Sequence, residues 1–170
     1  MMNETLNQKK NLRKILTEKR NLIKKNTNLE FNIETFNQLT EQIKFNAIDC
    51  IGSFMSIRSE ISTKQLNTKI LKMKKKLAFP TIENNLETLT FKTINSHKSF
   101  KTGKFNIPEP TNDNYEIIPQ LFFVPCLGFD LKGFRIGYGG GFYDKTFAKL
   151  KKLNLVFYTV GFAYDDQKQN

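Results

Sequence analysis

Apolar residues recur every three or four positions through the first part of the chain. Leu6, Leu12, Ile15, Leu16, Leu22 and Ile23 keep that period over about residues 4–25, which predicts an amphipathic helix. Ile33, Phe36, Leu39 and Ile43 repeat it and predict a second helix, with Asn32 placed to cap its first N–H groups. The pattern then changes. Residues 47–57 form a compact apolar run that predicts a buried strand. A third helix follows, capped by Ser62 or Thr63 and carrying Leu66, Ile70 and Met73. Residues 77–81 read as a short strand ending at Pro80, and residues 88–93 alternate as a half-buried strand does. The polar stretch 96–119, with Pro108, Pro110 and Pro119, predicts a long connection of the kind that often carries function. Residues 121–125 are a buried strand, 142–150 a helix and 155–164 a last strand. Strands that read as continuous apolar runs and alternate with helices predict an α/β fold, with a mostly parallel sheet covered on both faces. No repeat or linker divides residues 1–170, so one domain is expected. In such sheets ligands bind outside the carboxyl ends of the strands.

One segment at that end has a distinct chemistry. Gly137, Gly139, Gly140 and Gly141 fall within five positions, directly before the helix-like run from Phe142. Glycine reaches positive φ without penalty and lets backbone N–H groups approach a ligand closely. A helix start adds unpaired N–H donors and the positive end of its dipole. Together they suit an anion, most often phosphate. Arg135 just upstream can meet that phosphate, and Asp144 just downstream can offer a carboxylate to magnesium. No Gly-Lys-Ser/Thr follows the glycines, which excludes a Walker A loop. Phe142 stands where a dinucleotide fingerprint needs its last glycine. Packing alone could also require glycine in a tight strand-to-helix turn.

Charge changes the picture less than its size suggests. The net charge is +11, yet arginine occurs only at Arg13, Arg20, Arg58 and Arg135, and the other 23 of the 27 cationic residues are lysines. Lysine, asparagine and isoleucine share AT-rich codons, so much of the charge follows from mutational bias, and the rarer arginine carries the stronger signal. The lysines at 69, 72 and 74–76 lie at a helix end and read as a solvated face rather than a nucleic-acid groove. No apolar run reaches the roughly 20 residues of a membrane span, and the charged first 25 residues lack the core of a secretory leader. Cys50 and Cys126 are too few for a disulfide framework and are expected to be reduced and buried, in a cytoplasmic protein. The lone histidine, His97, lies in the polar connection and reads as a surface residue.

The order of residues narrows the glycine loop further. Phe129-Asp130-x-x-Gly133-x-Arg135-Ile136-Gly137-Tyr138-Gly139-Gly140-Gly141-Phe142-Tyr143-Asp144, after Val124-Pro125, resembles the signature of the 5-formyltetrahydrofolate cyclo-ligases, or methenyltetrahydrofolate synthetases. Lys9-Lys10-Asn11-Leu12-Arg13 is similar to the family's N-terminal basic helix motif. Residues 54–63, with Glu60, are similar to its strand-to-helix segment near the folate. Asn106-Ile107-Pro108-Glu109-Pro110 matches its proline-flanked loop, and residues 161–167 its last strand with a glutamine. The resemblance runs from about residue 9 to residue 167.

It implies a three-layer domain of the NagB/RpiA/CoA-transferase type that binds ATP, Mg2+ and a reduced folate. The implied activity converts 5-formyltetrahydrofolate to 5,10-methenyltetrahydrofolate in a cytoplasmic monomer, with no nucleic-acid or membrane partner. By resemblance, ATP meets Lys9, Lys10, Asn11, Leu12 and Arg13 of the first helix and the loop Arg135, Ile136, Gly137, Tyr138, Gly139, Gly140, Gly141, Phe142 and Tyr143. Arg135, Lys9 and Arg13 would neutralise the transferring phosphate. Ile57, Glu60, Phe105 and Pro108 would border the folate, and Asp144 would hold the metal. Read from the residues alone, Tyr138, Phe142 and Tyr143 serve equally well in a core, Glu60 as a helix cap and Asp130 in orienting the loop.

Two departures stand out. Cys126 occupies a position where relatives carry glycine. The family pattern also continues beyond a point equivalent to Asn170, with a proline-containing segment and an aspartate that helps hold magnesium; Asp165 and Asp166 do not match that place. Either metal binding is weakened, or Asp144 suffices with ATP oxygens and water. The alternative to the enzyme is a relative that binds folate or nucleotide without turnover. A basic RNA-binding protein is the third reading, without a recognition-motif signature to support it.

Overall fold

The computed structural model describes residues 2–27, 31–83, 87–94, 100–111 and 114–169. His97, which the sequence places at the surface, lies outside them. The helices are α1 (Met2–Asn26), α2 (Ile33–Gln42), α3 (Lys64–Lys72) and α4 (Phe142–Lys152). The strands are β1 (Cys50–Gly52), β2 (Lys76–Thr81), β3 (Thr90–Thr93), β4 (Phe100–Thr102), β5 (Pro108–Pro110), β6 (Leu121–Pro125), β7 (Gly128–Phe129), β8 (Arg135–Ile136) and β9 (Tyr158–Phe162). The central sheet has the order β3-β2-β1-β6-β9. β1, β2, β6 and β9 run parallel, and only β3 is antiparallel, at one edge. This is a mixed α/β arrangement with flanking helices, as the alternation of apolar runs implies.

Period two along the strands builds two cores. Ile51, Leu77, Phe79, Leu121 and Phe123 face one side and meet Phe36 of α2 with Leu66 and Ile70 of α3. Cys50, Ala78, Phe122 and Val124 face the other and meet Leu150 and Phe147 of α4. The α2 cap forms as the sequence indicates: the Asn32 side chain accepts from the N–H groups of Glu34 and Thr35. Helix α1 has a different task. Its buried face is Leu16, Arg20 and Ile23, whereas Ile15 and Leu22 are exposed. That face crosses the segments leaving the carboxyl ends of β1, β6 and β9: Ile23 packs with Ile61 and Tyr164, and Leu16 lies against Gly128.

Three expectations need correction. The strand expected over residues 47–57 is only three residues long. Past Ser53 the backbone bonds to side chains instead of a neighbouring strand: Ser56 Oγ donates to Ile61 O, Thr63 N–H donates to Ser56 Oγ, and Thr63 Oγ1 donates to Phe54 O. Thr63 therefore sits at the start of α3 without capping it. The connection 96–119 contains the β4–β5 hairpin. Its signal is hidden because two of the three residues of β5 are prolines, which only an edge strand accommodates; Phe100 anchors it with its ring 5.2 Å from that of Phe79. The last strand is Tyr158–Phe162, shorter than the apolar run 155–164. Among the described residues no helix is long and apolar enough to cross a membrane.

Phe122 is fully buried and makes edge contacts with Phe91, Phe147 and Phe157 at centroid distances of 5.0, 5.2 and 5.6 Å. Phe122→Ala leaves a cavity that three rings cannot fill, and should cost about 3–5 kcal/mol in urea unfolding; a loss below about 1 kcal/mol would show that this face is loosely packed.

Candidate functional site

The glycine loop enters from a hairpin rather than directly from the sheet. β7 and β8 pair antiparallel, and Asp130 Oδ1 closes their turn by accepting from the N–H groups of Lys132 and Phe134, both at 2.9 Å. Gly139 and Gly141 then adopt φ of +107° and +69°, where a side chain would be strained. Space is scarce as well. A Cβ on Gly139 would lie 3.3 Å from the Arg13 guanidinium, and one on Gly140 2.8 Å from the Phe142 ring. Arg13 Nε donates to Gly137 O at 3.0 Å, so the first helix holds the loop at its base. Helix α4 starts at Phe142 with no side-chain cap, leaving its first N–H groups and its dipole directed at the loop.

Charge surrounds this loop. Arg135 Nη2 donates to Asp144 Oδ1 at 2.6 Å, and the Asp144 side chain is 75% exposed. The Arg135 guanidinium also lies 5.7 Å from the centre of the Tyr143 ring. Tyr143 itself packs on Phe147 at 5.9 Å and joins the second core, and burial pushes its phenol well above the ordinary range. Phe142 and Ile136 are half-buried at the two ends of the loop. Lys9, Lys10, Asn11 and Leu12 are exposed on α1, with Lys9 one turn from Arg13 on the same side. Among the described residues no three His, Cys, Asp or Glu side chains gather as a metal site.

Below the loop lies a buried ionic network. Arg20 has no exposed surface. Its Nε donates to Ser59 Oγ at 3.1 Å, its Nη1 to Cys126 O at 3.2 Å, and its Nη2 to Tyr138 Oη. Tyr138 in turn donates to Glu60 Oε1 at 2.7 Å, and Arg20 Nη1 stands 3.8 Å from that oxygen. Glu60 Oε2 accepts from Ile57 N–H at 2.9 Å, so the carboxylate caps its own turn and not the following helix. Arg58, beside it, has φ of +54° and places its guanidinium 5.9 Å from the Tyr138 ring centre. Burial raises the Glu60 carboxyl above its usual value, opposed by the Ile57 N–H, Tyr138 and the two arginines. Burial also raises Tyr138, to about 12.

The structure thus brings together Arg13, Arg135, the glycines, Tyr138, Asp144, Glu60 and Ile57. Pro108 is half-buried on the β4–β5 hairpin, where neighbouring Glu109 accepts from Ile82 N–H after β2. The side chain of Phe105 lies outside the described residues. Cys126 is buried with its thiol held at about 11, and contributes its carbonyl, which accepts from Arg20 and from Gln167 Nε2. The residue that sequence reading missed is Arg20. Its signal was the spacing Leu16, Arg20, Ile23, which puts an arginine inside the apolar stripe of α1.

Comparison with known proteins agrees with this geometry. The model of the 5-formyltetrahydrofolate cyclo-ligase family matches residues 5–169. The chain belongs to that family. A 5-formyltetrahydrofolate cyclo-ligase of Haemophilus influenzae is 32% identical over 123 residues, 69% of this chain and 65% of the relative. One from Mycoplasma genitalium is 34% identical over 98 residues, covering 56% of each chain. The match therefore spans less than two thirds of these relatives' own length. Among solved structures, the 5,10-methenyltetrahydrofolate synthetase of Aquifex aeolicus superposes with a TM-score of 0.66 at 24% identity, over 94% of this chain and 79% of that one. The synthetase of Mycoplasma pneumoniae gives 0.64 at 20% identity, over 95% and 88%. At these identities the structures support the fold.

Because the Glu60 carboxyl is raised above its ordinary 4.5, the folded protein binds that proton more tightly than the unfolded chain does. Its contribution to stability is full below that value and is lost as pH rises through the folded value. The unfolding free energy of the protein relative to Glu60→Gln should therefore fall as pH rises above about 4.5. A difference that grows over that range would mean that Arg20 and the two hydrogen bonds outweigh burial.

Proposed function

We propose that the protein converts 5-formyltetrahydrofolate to 5,10-methenyltetrahydrofolate with consumption of ATP. The observation that carries this reading is the Tyr138–Glu60 hydrogen bond, since it sets an anion-binding glycine loop directly against a buried carboxylate suited to a pterin. Family membership supplies the reaction class. In the proposed sequence the formyl oxygen attacks the γ-phosphorus, the bond to the bridging oxygen breaks and ADP departs. The folate N10 then attacks the activated carbon, the ring closes, the C–O bond to phosphate breaks and the departing phosphate takes the N10 proton. Such a transfer needs alignment and charge neutralisation more than a protein nucleophile.

The residues fit those needs. Arg135, Arg13 and Lys9 would neutralise the transferring phosphate, with Lys10 adding charge on the same helix. The N–H groups of Gly139, Gly140 and Gly141 would donate to phosphate oxygens, and Asn11, Leu12, Ile136, Gly137, Phe142 and Tyr143 would shape the nucleotide's surroundings. Each oxygen of Glu60 keeps a second lone pair beyond the bond it already accepts, so the carboxylate can still take pterin N–H groups. Asp144 would hold Mg2+ together with phosphate oxygens, and the ion would supply further charge neutralisation there. Ile57 would lie beside the pterin, while Phe105 and Pro108 would border the outer part of the folate. We infer also a NagB/RpiA/CoA-transferase-like fold and a cytoplasmic, monomeric enzyme without nucleic-acid or membrane partners.

A second reading has one observation in its favour. Asp144 meets no acidic cluster among the described residues, which suits a protein that holds its ligands without turning them over. Absorbance of methenyltetrahydrofolate in the presence of ATP and magnesium separates the two: product formation is expected, and folate binding without product would establish the second reading. Arg135→Ala should lower kcat/KM for ATP by about 100-fold or more, the scale of losing one preorganised charge donor. Circular dichroism should not change. A catalytic efficiency near that of the unaltered protein would remove Arg135 from the phosphate site.

A further inference from the structure

Arg20 has no role in the reaction as proposed, yet it is the best-connected side chain of the site. Its guanidinium is a planar fork of five donors and no acceptor. Three of its nitrogens are engaged by three different segments: Ser59 after β1, Cys126 after β6 and Tyr138 in the glycine loop. Because arginine cannot accept, the Tyr138 hydroxyl accepts from Arg20, and its only proton is left for Glu60. The chain of donors therefore has a fixed direction, from Arg20 through Tyr138 to the carboxylate. Arg13, seven residues earlier on α1, holds the adjacent Gly137 carbonyl. One face of a helix thus fixes residues 137 and 138 of the loop.

We infer that Arg20 is a positioning residue that couples the two halves of the site through Tyr138, so that nucleotide on the glycine loop tightens binding of folate at Glu60. The inference rests on the proposed function, which places those ligands there. Phosphate bound to Gly139, Gly140 and Gly141 would fix the backbone that carries Tyr138, and with it the hydroxyl bonded to Glu60. Folate would then meet a carboxylate already ordered, and linkage requires the reverse effect on nucleotide to be equal. Lysine cannot replace the fork, since one ammonium cannot reach Ser59, Cys126 and Tyr138 in a single plane.

The test is the dissociation constant of 5-formyltetrahydrofolate with and without a non-hydrolysable ATP analogue and magnesium, in the unaltered protein, Arg20→Lys and Tyr138→Phe. The analogue should tighten folate about 10-fold in the unaltered protein, within the usual range of coupling between sites, and no more than about 2-fold in either variant. Thermal melting accompanies each titration. A lower melting temperature with the tightening retained makes Arg20 a purely structural residue and overturns the inference. If Arg20→Lys does not fold, Tyr138→Phe decides alone, because it keeps the ring and removes only the relaying hydroxyl. Absence of tightening in an unaltered protein that binds both ligands overturns this inference alone; failure of that protein to bind folate at all overturns the proposed function with it.

Discussion

The guanidinium of Arg20 imposes the strongest constraint on this structure. Removing an ion from water costs on the order of several kcal/mol even after the surroundings relax, and the cost is met only when every donor finds a partner in good geometry. Here the partners come from Ser59, Cys126, Tyr138 and Glu60, all far from α1 in sequence. α1 must therefore cross the carboxyl edge of the sheet at one height and one rotation. Hydrophobic contact alone would not select that placement, since among its described side chains α1 buries only a narrow stripe around Leu16 and Ile23.

That placement determines the glycine loop. With α1 fixed, Arg13 lies beneath Gly137 and Gly139, and the loop has no room for side chains on that side. Its two positive-φ glycines then turn the chain into α4, whose first N–H groups point back toward the loop. The Arg135–Asp144 pair completes the rim. Most of the Asp144 carboxylate faces water, so the pair contributes little to stability. In the proposed reaction the pair would serve chemistry instead: Arg135 would exchange Asp144 for a phosphate, and Asp144 would exchange Arg135 for a divalent cation.

Much of this was legible in the sequence, where local signals coincide with tertiary demand. Asn32 caps α2 because its side chain suits that task in any context, and the apolar runs at 77–81 and 121–125 become parallel strands because both their faces are buried. The β4–β5 and β7–β8 hairpins were hidden. Each strand has only two or three residues, too few to show a period, and their pairing depends on Glu109, Asp130 and ring contacts from elsewhere. The glycine loop and Arg135 stood out by composition, and the structure sets them together ahead of α4. Arg20 showed only its place inside the apolar stripe of α1; its role was hidden, because two of its acceptors are a backbone carbonyl and a hydroxyl more than a hundred residues away.

The distribution of arginine follows from the same physics. The chain has 23 lysines and only four arginines, and all four arginines meet at this site. Arg13 bonds to Gly137, Arg20 to Tyr138, Arg58 lies over the Tyr138 ring and Arg135 bonds to Asp144. A solvated surface charge is satisfied by either cation, so a codon bias toward lysine meets no resistance there. A planar fork that must bond in two or three directions, or stack on a ring, has no lysine equivalent. At this site geometry, and not charge alone, separates arginine from lysine. By that criterion Arg58, strained at positive φ beside Glu60, belongs to the site as fully as the other three.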